Sequence, residues 1–443
     1  MQVIKGLKHS LIDDWYIKGD PGSPARLRLL SCQYVSNTIR AMIGGTFWTG
    51  LLLYLNAGDA FIGTVGIIST AMNMLQFAGP LLLEHFKKRK KMLIATRQLM
   101  WFIDIVFIGL IPLMPVPEKT KLVFAAIGVG LTNLINIFVS PGVAIWHMQT
   151  LPNRVRSGYF SLVTMTSGAM TALFTFLGGL VVDLFKARGL EYWGLMSLRL
   201  FACVLCVVEC LLYMSIPEEP YPESKRGHSA KGLLTGLVKE KTYLFTVAVV
   251  FMWQVSANIP GSYFSVYLLN DLNASYKFIS LISAFQVPLI LVMTPVWKKV
   301  LKKVGWMRTL YLAMGIFSLQ YIAMALVNSQ NYKWLYTGGT LLSYFFSLGI
   351  SLAFTGIPYV NMPKENQTVF FGFYQTCTYV AALIGQSVGK RFILGMGDRV
   401  TPMLGMPMCG KQLIMLLTFV CVLAGAVVVM LIQKHLERRG ADT

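Results

Sequence analysis

Charge is scarce in this chain, and acidic charge scarcest. Only 13% of its 443 residues are Asp, Glu, Lys or Arg, where a soluble domain carries about a quarter. Acids number 19 against 39 bases. With 55% apolar residues, too little polar surface is left to wrap an ordinary soluble fold. Histidine is limited to five scattered residues, and no HExxH, GxSxG or phosphate-binding glycine loop occurs. The nucleophile-base pairs and ligand spacings of an enzyme are therefore missing, and neither catalysis, a cofactor nor a metal is expected. The seven Cys sit in or beside apolar stretches and give no disulfide framework; Cys203, Cys206 and Cys210 read as apolar filler rather than metal ligands. The net charge of +20 comes without a basic, aromatic-interleaved soluble domain, which excludes a nucleic-acid partner. The short alternating segments of a membrane β-barrel are absent too.

What the chain does contain is a series of hydrophobic stretches near the ~20 residues that cross ~30 Å of hydrocarbon. Twelve are predicted, at 27–55, 60–83, 92–114, 120–147, 158–185, 194–216, 242–270, 276–297, 308–327, 333–361, 366–392 and 409–434, numbered spans 1 to 12 below. The expected fold is an all-α membrane protein of 12 transmembrane helices in a lipid bilayer. Sorting the bases over the connections orients it, because cationic loops stay on the cytoplasmic side. The even-numbered connections and both ends hold 26 Lys and Arg, the odd-numbered connections hold 10, and Arg40, Arg97 and Arg199 fall within spans. Both termini are thus expected in the cytoplasm. Residues 1–26 put Ile4, Leu7, Leu11 and Trp15 on one helical face and read as an amphipathic segment along the cytoplasmic interface. They carry no small-residue cleavage site of a signal peptide. Residues 436–443 read as a cytoplasmic tail.

The chain also repeats itself. LNAGDAFIG at 55–63 returns as LNASYKFIS at 272–280, an offset of 217. Gly45-Thr46-Phe47 returns as Gly261-Ser262-Tyr263 at 216, Gly79-Pro80 as Thr294-Pro295 at 215, and Leu151-Pro152 as Met362-Pro363 at 211. Each pair occupies the same place in a six-span unit. Because six is even, both units start from the same membrane face, so residues 27–216 and 242–435 are expected as two parallel six-helix bundles. The polar, Pro-bearing stretch 217–241 is their cytoplasmic linker.

This pattern resembles the major facilitator superfamily. Around the loop after span 2 the family's local motif is degenerate: Gly79 is followed by Glu84 and the basic run 87–91, one residue late and without the second Gly. After span 8, Gly305 and Arg308 match the motif's tail. LPNRVRSGYF at 151–160 and MPKENQTVFFGFY at 362–374 resemble the family's openings of spans 5 and 11. The resemblance implies a secondary transporter working by alternating access, with spans 1, 4, 7 and 10 lining a midplane cavity. Spans 2, 5, 8 and 11 would flank it, with 3, 6, 9 and 12 behind.

Several residues suit such a cavity. Gln33, Asn37, Arg40, Gly44 and Phe47 recur at steps of three or four on span 1, one face of a helix. A mid-membrane Arg costs ~3 kcal/mol to insert and marks either a pathway or an ion pair. Arg40 is therefore a binder of an anionic or polar solute group, to which its fork is suited, or a structural partner. Span 4 offers Asn133 and Asn136; span 7 offers Gln254, Asn258 and Tyr263 around Pro260-Gly261; span 10 carries Ser343, Ser347, Ser351, Thr355 and Tyr359 at four-residue steps; span 11 adds Tyr379. Helix packing uses the same residue types, so each also has a plain structural reading. On the back helices, Arg97 is placed to pair with Glu209 or Asp104, structurally or as a proton relay. No carboxylate stands mid-membrane on spans 1, 4, 7 or 10, which leaves proton coupling, sodium coupling, facilitated diffusion and anion exchange open. The expected partner is a small polar or anionic organic solute, with multidrug or metabolite efflux as the alternative. The expected setting is a plasma membrane, of the bacterial inner type, and the expected state a monomer.

Overall fold

A computed structural model describes residues 20, 22–75, 88–151, 153–217, 241–360, 367–403 and 406–441. The N-terminal amphipathic segment, most of the 217–241 linker, Glu84, and the repeat partners Gly79-Pro80 and Met362-Pro363 lie outside them. Helices occupy all twelve predicted spans. The first is Ser23–Ile43 continued by Gly45–Tyr54, followed by Asp59–Met74, Lys90–Leu113, Glu118–Thr150, Asn153–Lys186 and Glu191–Met214. The second series begins with Lys241–Asn258, continued by Tyr263–Val266 and a π-helical turn Tyr267–Asp271, then Tyr276–Ala284 with Gln286–Val304. It ends with Trp306–Ala325, Tyr332–Val360, Gln367–Met396 and Gly410–Ala441. Seven of these helices are long and apolar enough to cross a bilayer as they stand, and up to eight with the bent pair of span 8, among the described residues. The chain is a multi-pass, all-α membrane protein.

The repeat seen in the sequence is written into the backbone. Gly45 has φ +55° and Gly261, 216 residues later, φ +48°. Both break a span at the same place, where a left-handed residue favours glycine. Asn56 at φ +56° and Asn273 at φ +50° likewise match across the two nonapeptides. They are the two described non-glycine residues with positive φ, and Asn is the side chain that tolerates that region best.

Packing divides the chain into two compact units. The first holds Met1–Ala57, Leu75–Lys225 and Ser275–Val287; the second holds Gly58–Met74, Arg226–Ala274 and Pro288–Thr443. The first unit thus takes the start of span 8 and gives up the helix Asp59–Met74 of span 2. Particular contacts explain this. In the first unit Asp183, near the end of span 5, caps the helix Tyr276–Ala284: its oxygens accept from the backbone N of Tyr276 at 3.0 Å and of Lys277 at 2.7 Å. A carboxylate at a helix N-terminus meets unpaired N–H groups and the positive end of the dipole. The Tyr276 hydroxyl donates to Glu191 at 2.9 Å, and its ring stacks on Phe47 at 6.0 Å. In the second unit span 2 is held by Thr70 donating to Gln386 at 2.9 Å, Lys390 donating to Thr64 at 2.6 Å, and Lys411 bridging Asp59 at 3.4 Å and Asp271 at 3.0 Å.

Span 6 shows how one helix serves two environments. Leu200, Val204, Val207 and Leu211 are exposed along one face, the side suited to lipid, while Arg199, Ala202, Cys206, Glu209 and Tyr213 are buried on the other. The described residues also include a hairpin that the sequence reading did not expect: β1 (Thr401–Met403) pairs antiparallel with β2 (Met406–Met408) between spans 11 and 12.

Candidate functional site

Of the three arginines within spans, two are buried and engaged. Arg97, 4% exposed, forms a forked ion pair with Glu209, which is fully buried: Nε donates to Oε2 at 3.0 Å and Nη2 to Oε1 at 2.8 Å. The same carboxylate accepts from Trp101 Nε1 at 2.7 Å and from the Ser36 hydroxyl. Arg97 Nη2 also donates to Ser36 Oγ at 2.7 Å, and the guanidinium lies over the rings of Trp101 and Tyr213 at 5.5 and 5.4 Å. A buried charge survives when it is paired and hydrogen-bonded, and both charges of this pair are. The cluster ties spans 1, 3 and 6 together. It continues into span 4, where Gln33 Nε2 donates to His147 Nδ1 at 2.8 Å and His147 Nε2 faces the Tyr213 hydroxyl at 3.3 Å.

Arg199, 3% exposed, is held differently. Span 3 widens into a π-helical turn at Phe102–Phe107. Such a turn inserts a residue and disturbs the carbonyl ladder. Arg199 Nη1 donates to the carbonyl oxygens of Asp104 at 2.6 Å and Ile105 at 3.4 Å. It contacts the backbone of Asp104, not its carboxylate. That half-buried carboxylate makes no hydrogen bond or ion pair among the described residues, although Arg199 and Arg40 lie within electrostatic range of it.

Arg40 is the exception. It is exposed midway along span 1, and among the described residues its guanidinium has neither a hydrogen bond nor an ion pair. Half-buried Asn37, one turn earlier, and half-buried Asn136 on span 4 also have unused amides among the described residues. Asn133 turns its amide back to the carbonyl of Val129 at 2.8 Å. Phe47, on the same sequence stripe as Arg40, is 3% exposed and packed against Tyr276.

The second unit is quieter. Asn258 Nδ2 donates to the backbone and side-chain oxygens of Gln254 at 2.8 and 3.1 Å, so the Asn258 amide is turned back onto its own helix. Ser347 donates to the Tyr344 carbonyl at 3.3 Å, and Tyr379 is half-buried. Tyr263 is buried against Gly63, where an added Cβ would collide with the phenol oxygen. That hydroxyl has no partner among the described residues. Trp253 packs on Phe317 and Phe354 at 5.4 and 6.1 Å.

The family model of the Major Facilitator Superfamily matches residues 29–386. The chain belongs to the major facilitator superfamily. It is a membrane transporter, and solved structures agree with the fold. The nucleoside transporter NupG superimposes with a TM-score of 0.69 at 12% identity, covering 93% of this chain and 99% of that one. A bacterial homologue of the iron transporter ferroportin, in an inward-facing state, gives 0.70 at 15% identity over 92% of this chain and 98% of that one. A D-xylose-proton symporter gives 0.65 at 13% identity, over 91% and 96%. No curated protein matches the sequence significantly. Within this superfamily member, sequence reasoning named Arg97, Glu209 and Asp104 but missed Ser36, Trp101, Tyr213 and Asp183. The first three each sit one helical turn from a named charge, which is the signal that finds them.

Proposed function

We propose that this chain is a secondary transporter that moves a small anionic organic solute by alternating access, with Arg40 as the residue that binds the solute's negative group. The supporting observation is the contrast among its arginines: Arg97 and Arg199 are buried and hydrogen-bonded to other helices, whereas Arg40 is exposed and has no hydrogen bond or ion pair among the described residues. An intramembrane cation without a protein partner is a binding site in search of an anion. A guanidinium offers carboxylate or phosphate two parallel hydrogen bonds. Asn37 and Asn136 supply amides for the polar remainder. The unpaired carboxylate of Asp104 has a matching role: it takes up a coupling proton, and the field of Arg40 links its protonation to the solute.

The test is thermal unfolding of the purified protein across a panel of carboxylates, phosphate esters, sugars and lipophilic cations. A bound ligand at 100 times its Kd adds ~2.7 kcal/mol. An anion is expected to stabilise the natural chain, not Arg40→Ala, and Arg40→Lys only in part. Stabilisation by lipophilic cations, equal with and without Arg40, replaces this reading with multidrug efflux.

A further inference from the structure

Between spans 11 and 12 one residue type is concentrated. Methionine makes up 24 of the 443 residues, yet three of the eight at 401–408. In the hairpin Thr401 opposes Met408, Pro402 opposes Pro407 and Met403 opposes Met406. Directly opposed residues point to the same face with Cβ atoms about 4.5–5.5 Å apart, and residues two apart on a strand share that face. All three methionines therefore lie on one side and both prolines on the other. Burial is graded along the row: Met403 is 46% exposed, Met406 half-buried and Met408 fully buried. The Met406 sulfur faces Asn328 Nδ2 at 3.9 Å, a weak contact that a stronger ligand displaces. Packing alone explains Met408. It does not explain an exposed thioether opposite a half-exposed one.

A thioether is a soft, uncharged donor that favours Cu(I) over the divalent ions preferred by carboxylate or imidazole. It needs no deprotonation, so it keeps its affinity in acid where a thiol loses it. No cluster of three His, Cys, Asp or Glu suited to a metal occurs among the described residues, so a harder ion finds no ligand set. We propose that Met403 and Met406, backed by Met408, form a binding site for a soft monovalent metal ion, Cu(I) or its analogue Ag(I). The site is independent of the Arg40 reading and stands if that reading fails. The competing donor is Cys409, next in the chain and half-buried.

The full chain, purified in detergent, is titrated with Ag(I), and with Cu(I) against a chromophoric Cu(I) chelator, and the bound copper is examined by X-ray absorption. One ion in a sulfur-only shell is expected. Binding is lost in Met403→Leu/Met406→Leu and kept in Cys409→Ser. Leucine preserves volume and apolarity, so the metal-free unfolding midpoint of the double variant stays unchanged; Met403→Leu alone, at the most exposed position, serves if it does not. Equal binding by the natural chain and the methionine variant, or loss of binding in Cys409→Ser alone, overturns the proposal.

Discussion

Replacing Glu209 by Gln tests whether the polar cluster of the first unit is a structural anchor. The carboxylate is fully buried and accepts four hydrogen bonds, two from Arg97 and one each from Trp101 and Ser36. Gln keeps one acceptor oxygen and turns an N–H₂ group toward donors, so at least two of the four bonds are lost. Arg97, 4% exposed, is left as a buried cation without a counter-charge. Breaking a buried pair from one side costs ~3–5 kcal/mol, a large part of the ~5–15 kcal/mol that holds a folded protein together. At about 2–4 °C per kcal/mol for a unit of this size, the unfolding midpoint in detergent is expected to drop by about 10 °C. Arg97→Met/Glu209→Leu is the informative companion. It removes both charges and their desolvation cost; the Ser36 hydroxyl can turn to a carbonyl of its own helix, which leaves Trp101 without an acceptor at ~1–3 kcal/mol. The double variant should therefore be more stable than Glu209→Gln. A midpoint for Glu209→Gln within about a degree of the natural protein, or a double variant less stable than the single one, refutes the anchor.

Other consequences are as direct. Asp104→Asn is expected to leave binding of the solute anion intact while abolishing its accumulation against a gradient in proteoliposomes at an imposed pH difference; accumulation that persists removes Asp104 from coupling. Tyr263→Phe deletes a buried hydroxyl without a partner among the described residues, so stability should hold or rise by up to ~1 kcal/mol and transport stay unchanged; a large loss of transport means the phenol meets the solute. Gly385 and Gly389 sit one turn apart on span 11, where an added Cβ would collide with the carbonyl oxygens of Val255 and Ile259 on span 7. Gly385→Ala and Gly389→Ala should each cost ~1–3 kcal/mol through overpacking, read as a lower unfolding midpoint, and an unchanged midpoint in both contradicts the close approach.

The fold was largely legible because it rests on local signals. Apolar runs of bilayer length placed all twelve helices, and the repeat read from the offset of 216–217 residues reappears as matching left-handed residues at Gly45 and Gly261 and at Asn56 and Asn273. The hairpin at 401–408 was not legible: two prolines among eight residues argue against strands, and each opposes the other at positions where a missing N–H is tolerated. The π-turn at Phe102–Phe107 left no trace either, since one inserted residue changes neither composition nor hydropathy. Nor was the membership of the compact units foreseeable. Chain order assigns span 8 to the second repeat, but a cap depends on what lies beyond a helix start, and there it is Asp183, 93 residues earlier, that meets Tyr276.

The candidate site divides along the same line. In the sequence, Arg40, Arg97 and Arg199 are alike, each a cation inside an apolar span. What separates them is a partner on another helix, and helix neighbours are not written locally. A clue exists even so. Arg97 has Trp101 four residues on, whose ring lies under its guanidinium and whose N–H reaches Glu209, and Glu209 has Tyr213 four residues on, whose ring meets Arg97 from the other helix. Arg40 has Ser36 four residues before it and Gly44 four after. Ser36 is taken by Glu209 and Arg97, and Gly44 has no side chain to offer. An intramembrane cation whose own turn supplies no unspent acceptor must find its partner elsewhere; for Arg40 no other helix supplies a hydrogen bond or ion pair among the described residues, and Asp104 on span 3 lies only within electrostatic range. On the function proposed above, a solute anion that arrives and leaves takes that place.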